Sequence, residues 1–448
     1  MSANGAKSGQ RERLLAAMTV LAGSVGYAEV SIADLTSRAG ISRQTFYELF
    51  ADKDECFRAA YLLAARRVLG PLRGVLEQSD WWETLREVVR AILEQTDEDP
   101  ETSWFFFVES LAAGGRIEPE RERALSAFES HTEAFLDRAP ADGFTLDIPP
   151  RALLGAIRIG TIRRVGALHM HIDAPTRAPE MGDDLVAWIR SYAIPAGQPR
   201  WSTGPSALLP AAMTADIAQV ASPILRRPEP LPRGRHRLPR AVVARNQCER
   251  IVHATAEAIH AKGYVATTVG DIVLAAGIGR DAFYEHFTDK RHAFLATQQH
   301  AARETFSACA HAFFSHPTWP QRVYGCLRTL TLILAREPAL AHLCIVEPYA
   351  AGAQAIALAQ QMTALYEVFL EEGYHLRPQA QELPYLCSSA VVDAVFEIVR
   401  GHVAAQKTSE LPRSAPQLAY IAIAPFAGAQ AAAELVEELA AQPSPCTP

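Results

Sequence analysis

The 448-residue sequence predicts an all-α protein that contains one structural unit twice. Apolar residues recur at helical spacing along most of the chain, whereas alternating strand patterns bounded by hairpin turns do not stand out. A segment near residue 40 returns near residue 277, which indicates an internal repeat. At about 150 residues per domain, this length predicts about three domains, and two or four are also compatible with it.

The repeat runs without a gap from Gly26 to Phe57 and from Gly263 to Phe294, at an offset of 237 residues. Around position 40 the chain reads AGISRQTFYELFADKDECF, and around position 277 it reads AGIGRDAFYEHFTDKRHAF. Fainter pairs continue at an offset of 238, namely Pro100 with Pro338, Glu109 with Glu347, and Gly114 with Gly352. The duplicated unit therefore spans roughly two hundred residues and is more than a short motif.

A helix opens each copy of the repeat. Its apolar stripe in the first copy consists of Leu14, Leu15, Met18, Leu21, Ala22 and Val25. The matching stripe in the second copy consists of Ile251, Val252, Ala258 and Ile259. Gly26 and Gly263 follow these stripes and are expected to end the helix, because glycine adopts the left-handed backbone of a helix end without steric cost.

A short second helix and a short third helix follow in each copy. Ser31 and Thr268 each precede an aspartate by three residues, which predicts a capping box at the start of the second helix. Gly40 and Gly277 end that helix after about two turns. After a tight turn, Ser42 is expected to cap the third helix of the first copy.

The third helix of the first copy has two chemically different faces. Phe46 and Phe50 lie four residues apart, so we expect both to point into the core. The opposite, outward face carries Arg43, Gln44, Tyr47 and Glu48. Arginine can donate two hydrogen bonds to guanine, glutamine can form two with adenine, and a tyrosine hydroxyl can reach a phosphate. This arrangement predicts a helix-turn-helix whose last helix enters a groove of DNA.

Residues around each predicted helix-turn-helix are expected to contact DNA. Ser31, at a helix N-terminus, and Lys53, inside the fourth helix, are expected to hold phosphates from two sides. The predicted DNA-contacting residues of the first copy are Ser31, Ser42, Arg43, Gln44, Thr45, Tyr47 and Lys53. Those of the second copy are Thr268, Gly279, Arg280, Asp281, Tyr284 and Lys290.

The two copies resemble the TetR family of bacterial transcriptional regulators. The likeness is carried by SIADLTSRAGISRQTFYELFADKDE and TVGDIVLAAGIGRDAFYEHFTDKRH, with Phe-Tyr-x-x-Phe-x-x-Lys after Ala-Gly-Ile, and it covers about a quarter of the chain. In that family three N-terminal helices bind DNA, and the remaining helices bind a small molecule and dimerise. The resemblance implies two such units in one chain, with repression as the usual outcome.

The resemblance and the repeat together predict five segments. We expect helix-turn-helix DNA-binding domains at 10–57 and 241–294, helical effector and dimerisation domains at 58–221 and 295–440, and a linker at 222–240. The linker reads SPILRRPEPLPRGRHRLPR, and its prolines lack the donors that a helix needs. Its arginines can enter a minor groove or follow a DNA backbone, and they are equally compatible with a solvated linker.

The second copy departs from the first at the positions that would read bases. Asp281 replaces Gln44, and Gly279 replaces the capping residue Ser42. An aspartate is repelled by phosphate but can accept a hydrogen bond from cytosine N4. The sequence therefore leaves open whether the second helix-turn-helix contacts DNA.

Composition and charge narrow the class of protein further. The net charge is -7, so any DNA-binding surface must be a local concentration of positive charge. Seven cysteines without a Cys-x-x-Cys pair favour reduced, buried thiols inside a cell. The first ten residues have no apolar core and no apolar run reaches about 18 residues, so we expect no signal peptide, no membrane span and a cytoplasmic protein.

Other candidate sites are weaker. His169-x-His171-x-Asp173 places side chains two residues apart, on different sides of a helix, so we expect no metal ion and no cofactor. The aromatic run from Trp104 to Phe107 surrounds its helix and should be buried. We expect Phe106 in this run and Glu109 just after it to bind a ligand, together with Glu347, which is the repeat of Glu109. Phosphate loops and ordered Ser/His/Asp sets are missing from the sequence, so we expect no enzyme.

The favoured hypothesis is a ligand-responsive repressor that binds an operator in double-stranded DNA through both helix-turn-helix units as an intrachain pseudo-dimer. A homodimer and an activator are also compatible with the sequence, and the effector is an unknown small molecule. One alternative is a small-molecule sensor or interaction protein of the same fold that has lost DNA binding. Another is a helical enzyme on a regulator scaffold, which no residue specifically supports.

Overall fold

The computed structural model describes residues 3–27, 29–70, 80–113, 117–157, 178–198, 201, 228–229 and 238–441. The chain divides into two compact units. The first comprises Met1–Thr203 with Glu382–Ala394, and the second comprises Gly204–Gln381 with Val395–Pro448. Most of the expected linker, and the histidines at 169 and 171, lie outside the described residues.

The first unit is helical over most of its described length. Its helices are Ala3–Val25, Ile32–Ala39, Arg43–Leu49, Lys53–Leu69, Trp81–Glu98, Pro100–Trp104, Ser110–Ala112, Glu118–Leu136 and Ala178–Arg190. A π-helical turn covers Phe105–Glu109, and a 3₁₀ turn covers Ala139–Asp142. We call the part up to residue 69 the first head and the helices that follow it the first body.

The second unit repeats this order. Its helices are Arg240–Ala266, Val269–Ala276, Arg280–His286, Lys290–Phe314, Trp319–Arg336, Pro338–Ile345, Pro348–Ala351, Ala353–Ala364, Pro378–Gln381, Leu411–Ala427 and Ala429–Ala441, with 3₁₀ turns at Leu365–His375 and Thr408–Glu410. Helix Leu386–Ala404 is divided between the units, because its residues up to Ala394 belong to the first and those from Val395 to the second. The helix Arg240–Ala266 is interrupted at Gly263, whose φ of 76° is not helical. The first three of these helices and the start of Lys290–Phe314 form the second head, and the later helices form the second body.

The prediction of an all-α fold is confirmed, with one small exception. Strands Phe144–Leu146 and Ala193–Pro195 pair antiparallel, with Thr145 opposite Ile194. Strands of three residues are too short to show an alternating pattern, which is why the sequence did not reveal them. They join segments of the first body and leave its helical class unchanged.

The predicted helix ends are confirmed in both heads. Ser31 and Thr268 form capping boxes with Asp34 and Asp271. Gly40 and Gly277 end the second helices in the left-handed conformation, with φ of 64° and 63°. Because each cap supplies partners for backbone groups that the helix leaves unpaired, these short helices keep defined ends.

The core of each head is built from the predicted apolar residues. Phe46 and Phe50 are buried in the first head, and Phe283 and Phe287 occupy the same positions in the second. Val25 is an exception, because it is 56% exposed although the sequence placed it in the apolar stripe. It is the last residue of its helix, where the chain turns away at Gly26.

Among the helices of the described ranges, none combines the length and the apolar content that crossing a membrane requires.

Gly40→Ala tests the left-handed cap at the end of the second helix. An added Cβ meets no atom within 4 Å, so the cost is confined to the backbone at φ +64° and should be about 1–2 kcal/mol. We expect a lower urea midpoint when helicity is followed by circular dichroism. Gly9→Ala is the matched control, because Gly9 also has open space but lies inside a helix, so its midpoint should rise. Equal shifts for both variants would contradict the assigned conformations.

Candidate nucleic-acid interface

The helix Arg43–Leu49, here called the first reading helix, presents a polar face to solvent. Phe46 is fully buried on its inner side. Tyr47 is 58% exposed although it is large and aromatic. The exposed residues of the outward face are Arg43, Gln44, Tyr47 and Glu48, with Thr45 half-buried beside them. Guanidinium, amide and phenol groups therefore share one accessible surface, as binding to base edges and phosphates requires.

Local hydrogen bonds orient this helix. The Ser42 hydroxyl oxygen accepts a hydrogen bond from the Thr45 N–H at 3.0 Å, which confirms the predicted cap. Gln44 Nε2 donates to Glu48 Oε1 at 3.3 Å, so the amide lies along the helix surface. A base contact by Gln44 would have to compete with this exposed and therefore weak interaction.

The helix Arg280–His286, the second reading helix, repeats the arrangement with different chemistry. Phe283 is buried, while Arg280, Asp281 and Tyr284 are exposed, Tyr284 by 54%. Gly279 stands at the cap position without a side-chain hydrogen bond. The second head thus offers an arginine and a tyrosine in the same places as the first, with a carboxylate where the first has an amide.

At the start of the second helix Ser31, for which a phosphate contact stays a prediction, has Asp34 as its partner. The Ser31 N–H and hydroxyl both donate to the Asp34 carboxylate. These hydrogen bonds lower the pKa of Asp34, and a bond from Lys262 together with those of Thr268 lowers the pKa of Asp271 to about 2. Both carboxylates are therefore ionised at neutral pH, and a phosphate at either helix start would approach a negative charge.

Lys53 and Lys290 point inward, in contrast to the expectation that they hold phosphates. Lys53 Nζ donates to the backbone oxygens of Tyr27 at 3.0 Å and Val30 at 2.8 Å. Lys290 Nζ donates to the backbone oxygen of Tyr264 at 2.6 Å. Each ammonium also lies over the ring of that tyrosine, at 4.3 Å and 4.1 Å from the ring centre. The lysines therefore fix the turn after the first helix of each head.

Glu109 binds the other side of the same turn. Its Oε2 accepts a hydrogen bond from the Tyr27 N–H at 3.0 Å, and its Oε1 accepts one from Trp104 Nε1 at 3.3 Å. The carboxyl group is buried at the end of the π-helical turn Phe105–Glu109. Burial raises the pKa of Glu109 to about 7, against the lowering effect of the bond from Trp104. The ligand-binding role expected of Glu109 stays a prediction, and in the structure its carboxyl group joins the body to the head.

Glu347 makes the same connection in the second unit. Its Oε2 accepts a hydrogen bond from the Tyr264 N–H at 2.8 Å. His342 replaces Trp104, and its Nδ1 lies 3.5 Å from Glu347 Oε1 without forming a hydrogen bond. Burial and the neighbouring His260 lower the pKa of His342 to about 4, so the ring is neutral at neutral pH. We call the glutamate, tyrosine and lysine of each unit the turn clamp.

An apolar cavity lies in the first body, away from the turn clamp. It contains about 580 Å³ of space that protein atoms do not fill, part of it open to solvent. His131 and Thr132 are its polar lining residues, and His131 Nδ1 is within hydrogen-bond distance of the Ala127 oxygen. The apolar lining residues include Trp81, Leu85, Val88, Phe128, Phe135 and Ile189.

The expected ligand-binding residues do not line this cavity. Phe106 stacks on Tyr61 of the head's fourth helix, with ring centres 5.3 Å apart, because the aromatic run fills the junction between head and body. The cavity residues come from segments that are far apart in sequence, such as Trp81 and Ile189, so no local pattern pointed to them. For the turn clamp a signal did exist, since its tyrosine, lysine and glutamate recur in both units.

The described ranges also contain cysteines and other side chains that could react or bind a metal ion. Cys56, Cys309, Cys326 and Cys387 are buried, and burial raises the pKa of Cys56 to about 12, which suppresses thiolate chemistry. Within those ranges no group of three His, Cys, Asp or Glu side chains has an arrangement that could hold a metal ion. Of the arginines of the expected linker, Arg240 lies in the described ranges, and Arg245 in the helix that follows pairs with Glu249 at 2.8 Å.

Comparison with known proteins supports the helix-turn-helix assignment. Residues 14–60 and 251–297 each match the family described as bacterial regulatory proteins, tetR family. The chain is therefore similar to transcription regulators of the tetR family in both of its heads, which lie in tandem along the sequence.

Solved structures of bacterial regulators are similar to about 40% of this chain. The fatty acid degradation regulator FadR from Bacillus halodurans is 16% identical with a TM-score of 0.36, over 40% of this chain and 94% of that one. PfmR from Thermus thermophilus is 23% identical with a TM-score of 0.34, over 40% and 96%. FadR from Bacillus subtilis, solved with stearoyl-CoA, is 15% identical with a TM-score of 0.34, over 40% and 97%. A search of curated proteins gave no match.

Glu109→Gln tests the burial of the clamp carboxyl group. The folded-state pKa of Glu109, about 7, lies above the ordinary glutamate value of 4.5, so its protonated form favours folding. This contribution, about 3 kcal/mol, is complete below pH 4.5 and is lost as the pH rises to about 7. The wild-type unfolding free energy minus that of the variant should therefore fall over this range in urea titrations. A difference that stays constant with pH would contradict the described burial, since other titrating groups are common to both proteins.

Proposed function

We propose that the chain is a ligand-responsive repressor that binds one DNA operator with both of its heads, as an intrachain pseudo-dimer. The observation that carries the proposal is the exposed outward face of each reading helix, with Arg43 and Tyr47 in one and Arg280 and Tyr284 in the other. Arginine donates to guanine O6 and N7 or to phosphate, and tyrosine donates to phosphate. The same two groups at the same positions would bind both halves of an operator in the same orientation.

Differences between the heads would make the operator asymmetric. Gln44 can form two hydrogen bonds with adenine, whereas Asp281 can only accept, which suits the N4 amino group of cytosine. The half-site of the first head should therefore contain a specified adenine at the position where the other half-site contains a cytosine. Half-sites separated by whole helical turns would place both on one side of the duplex.

The cavity of the first body is the proposed effector site. Its lining is almost wholly apolar, so the favoured effector is a small apolar molecule, with His131 and Thr132 able to orient one polar group. The helix Trp81–Glu98 lines the cavity and leads through Asp99 to the segment that carries Glu109. An effector would relieve repression only if it bound one conformation of the unit more tightly than the DNA-binding conformation.

One observation favours a second function for the second head. Leu274, in the middle of its second helix, is 82% exposed, and the first head has Ser37 at that position. An exposed leucine, in a head that also carries Asp281, is less suited to a phosphate backbone than to an apolar partner surface. In this alternative the first head alone binds DNA and the second is an interaction module.

Selection from random DNA duplexes tests the proposal. The full chain is incubated with random-sequence duplexes, bound DNA is sequenced over several rounds, and the affinity for the enriched site is followed against salt. We expect a site with two unequal halves and a steep loss of affinity with salt, because phosphate contacts release counterions. Two equal halves would favour a symmetric dimer, in which each of two chains binds one half-site with its first head. A lack of enrichment at low salt would refute DNA reading.

Gln44→Ala should weaken recognition in one half-site only. Loss of a two-bond contact with adenine costs about 1–3 kcal/mol and removes the base preference at that position. Asp281→Ala is the matched change in the second head and should relax only the other half-site. Both variants are measured by fluorescence anisotropy on duplexes with single base substitutions in each half. An equal effect of Gln44→Ala on both halves would contradict the assignment of one head to each half.

Val88→Trp should close the proposed effector site. Val88 lines the cavity, and an indole side chain in its place would occupy the space of an apolar ligand. The neutral dye N-phenyl-1-naphthylamine serves as the probe, and its fluorescence enhancement should fall at least about tenfold in the variant. Val242→Trp is a control on an exposed helix of the second head and should leave dye binding unchanged. Equal dye binding by Val88→Trp would show that the dye binds elsewhere.

A further inference from the structure

Head and body of each unit are joined at the turn after the first helix. In both units a buried carboxylate of the body accepts the backbone N–H of the tyrosine in that turn, at 3.0 Å for Tyr27 and 2.8 Å for Tyr264. A lysine of the head's fourth helix donates to the backbone oxygen of the same tyrosine. The peptide groups on both sides of one residue are therefore fixed, one from the head and one from the body.

This turn leads directly into the helix-turn-helix. Four residues separate Tyr27 from the first residue of the second helix, Ile32, and the reading helix follows at Arg43. The backbone oxygen of Val30, within this short stretch, also accepts a hydrogen bond from Lys53 Nζ. A displacement of the clamp glutamate would therefore be passed to the reading helix over very little flexible chain.

The body side of the clamp is connected to the cavity. The helix Trp81–Glu98 lines the cavity through Trp81, Leu85 and Val88. Asp99 ends that helix through its backbone N–H and begins the next one through its side chain, which accepts from the Thr102 N–H at 3.1 Å. The following π-helical turn ends at Glu109. Such turns commonly occur at functional sites, where a helix adjusts its register.

We propose that Glu109 and Glu347 are positioning residues for DNA reading, each of which orients its reading helix by holding the tyrosine turn of its own head against its body. This proposal rests on the function proposed above and adds the regulation of the same DNA interface. A carboxylate suits this task because each oxygen accepts a hydrogen bond, so Glu109 binds the turn and Trp104 together. Both units bury this ionisable side chain at the junction, although burial removes water from its carboxyl group and a hydrocarbon side chain would avoid that cost.

Glu109→Gln tests the proposal in the full chain. A glutamine has the same shape but only one acceptor oxygen, so it cannot accept from both Tyr27 and Trp104. At pH 8 we expect about tenfold weaker binding to the selected operator, in line with loss of a hydrogen bond to a charged group. Binding to a random duplex should stay close to the wild-type value, because the surface arginines are unchanged. The melting temperature should not fall, because the neutral amide avoids the cost of burying an ionised carboxylate at this pH.

Two further variants separate positioning from folding. Trp104→Phe combined with Glu109→Gln removes the indole N–H that would face the amide, and it should restore most of the operator affinity. Glu101→Gln changes an exposed glutamate of the preceding helix and should have no effect.

The possible outcomes distinguish a failure of the positioning role from a failure of the proposed DNA-binding function. Operator affinity of Glu109→Gln equal to wild type would overturn the positioning role. A parallel loss of operator binding, random-duplex binding and melting temperature would also overturn it, since that pattern reflects unfolding. If the wild type itself does not distinguish the operator from a random duplex, the proposed function fails, a result that is visible before any variant is measured.

Discussion

The hydrogen bond from the Tyr27 backbone N–H to the buried Glu109 carboxylate is the contact on which the described architecture of the first unit depends. Within the head, caps and aromatic packing hold short helices together through neighbours in sequence. This bond spans 82 residues and ties the head to the body, and Tyr264 and Glu347 repeat it in the second unit. A reading helix of seven residues has little stability of its own, so its direction is set by such tertiary contacts.

The two units use one framework with different chemistry at the positions that matter for function. At the reading surface, Gln44 becomes Asp281, which exchanges a donor and acceptor for an acceptor alone. Beside the turn clamp, His342 stands where the first unit has Trp104, so a ring remains next to the glutamate but forms no hydrogen bond to it. The duplicated chain can therefore vary one head and one junction without altering the other, which a homodimer of identical units cannot do.

Much of the fold was predictable because its signals are local. Glycines at helix ends and Ser31 as a cap act within a few residues, and the repeat showed each of them twice. The site was predicted in part: the outward face of the reading helix follows from helical periodicity, but the roles of Lys53 and Glu109 do not. Their partners are backbone groups of Tyr27, and a backbone amide leaves no mark in a sequence. The cavity was missed for a related reason, since its walls come from segments brought together only by folding.

The central claim is that one chain reads both halves of its operator, and footprinting with head-specific variants tests it most directly. Hydroxyl-radical footprints of the selected operator would be compared for wild type, for Arg43→Ala with Tyr47→Ala, and for Arg280→Ala with Tyr284→Ala. The account predicts that the first pair of changes removes protection from one half-site and the second pair removes it from the other. Loss of both halves with the first pair, and full protection with the second, would contradict it and show that two chains each contribute their first head.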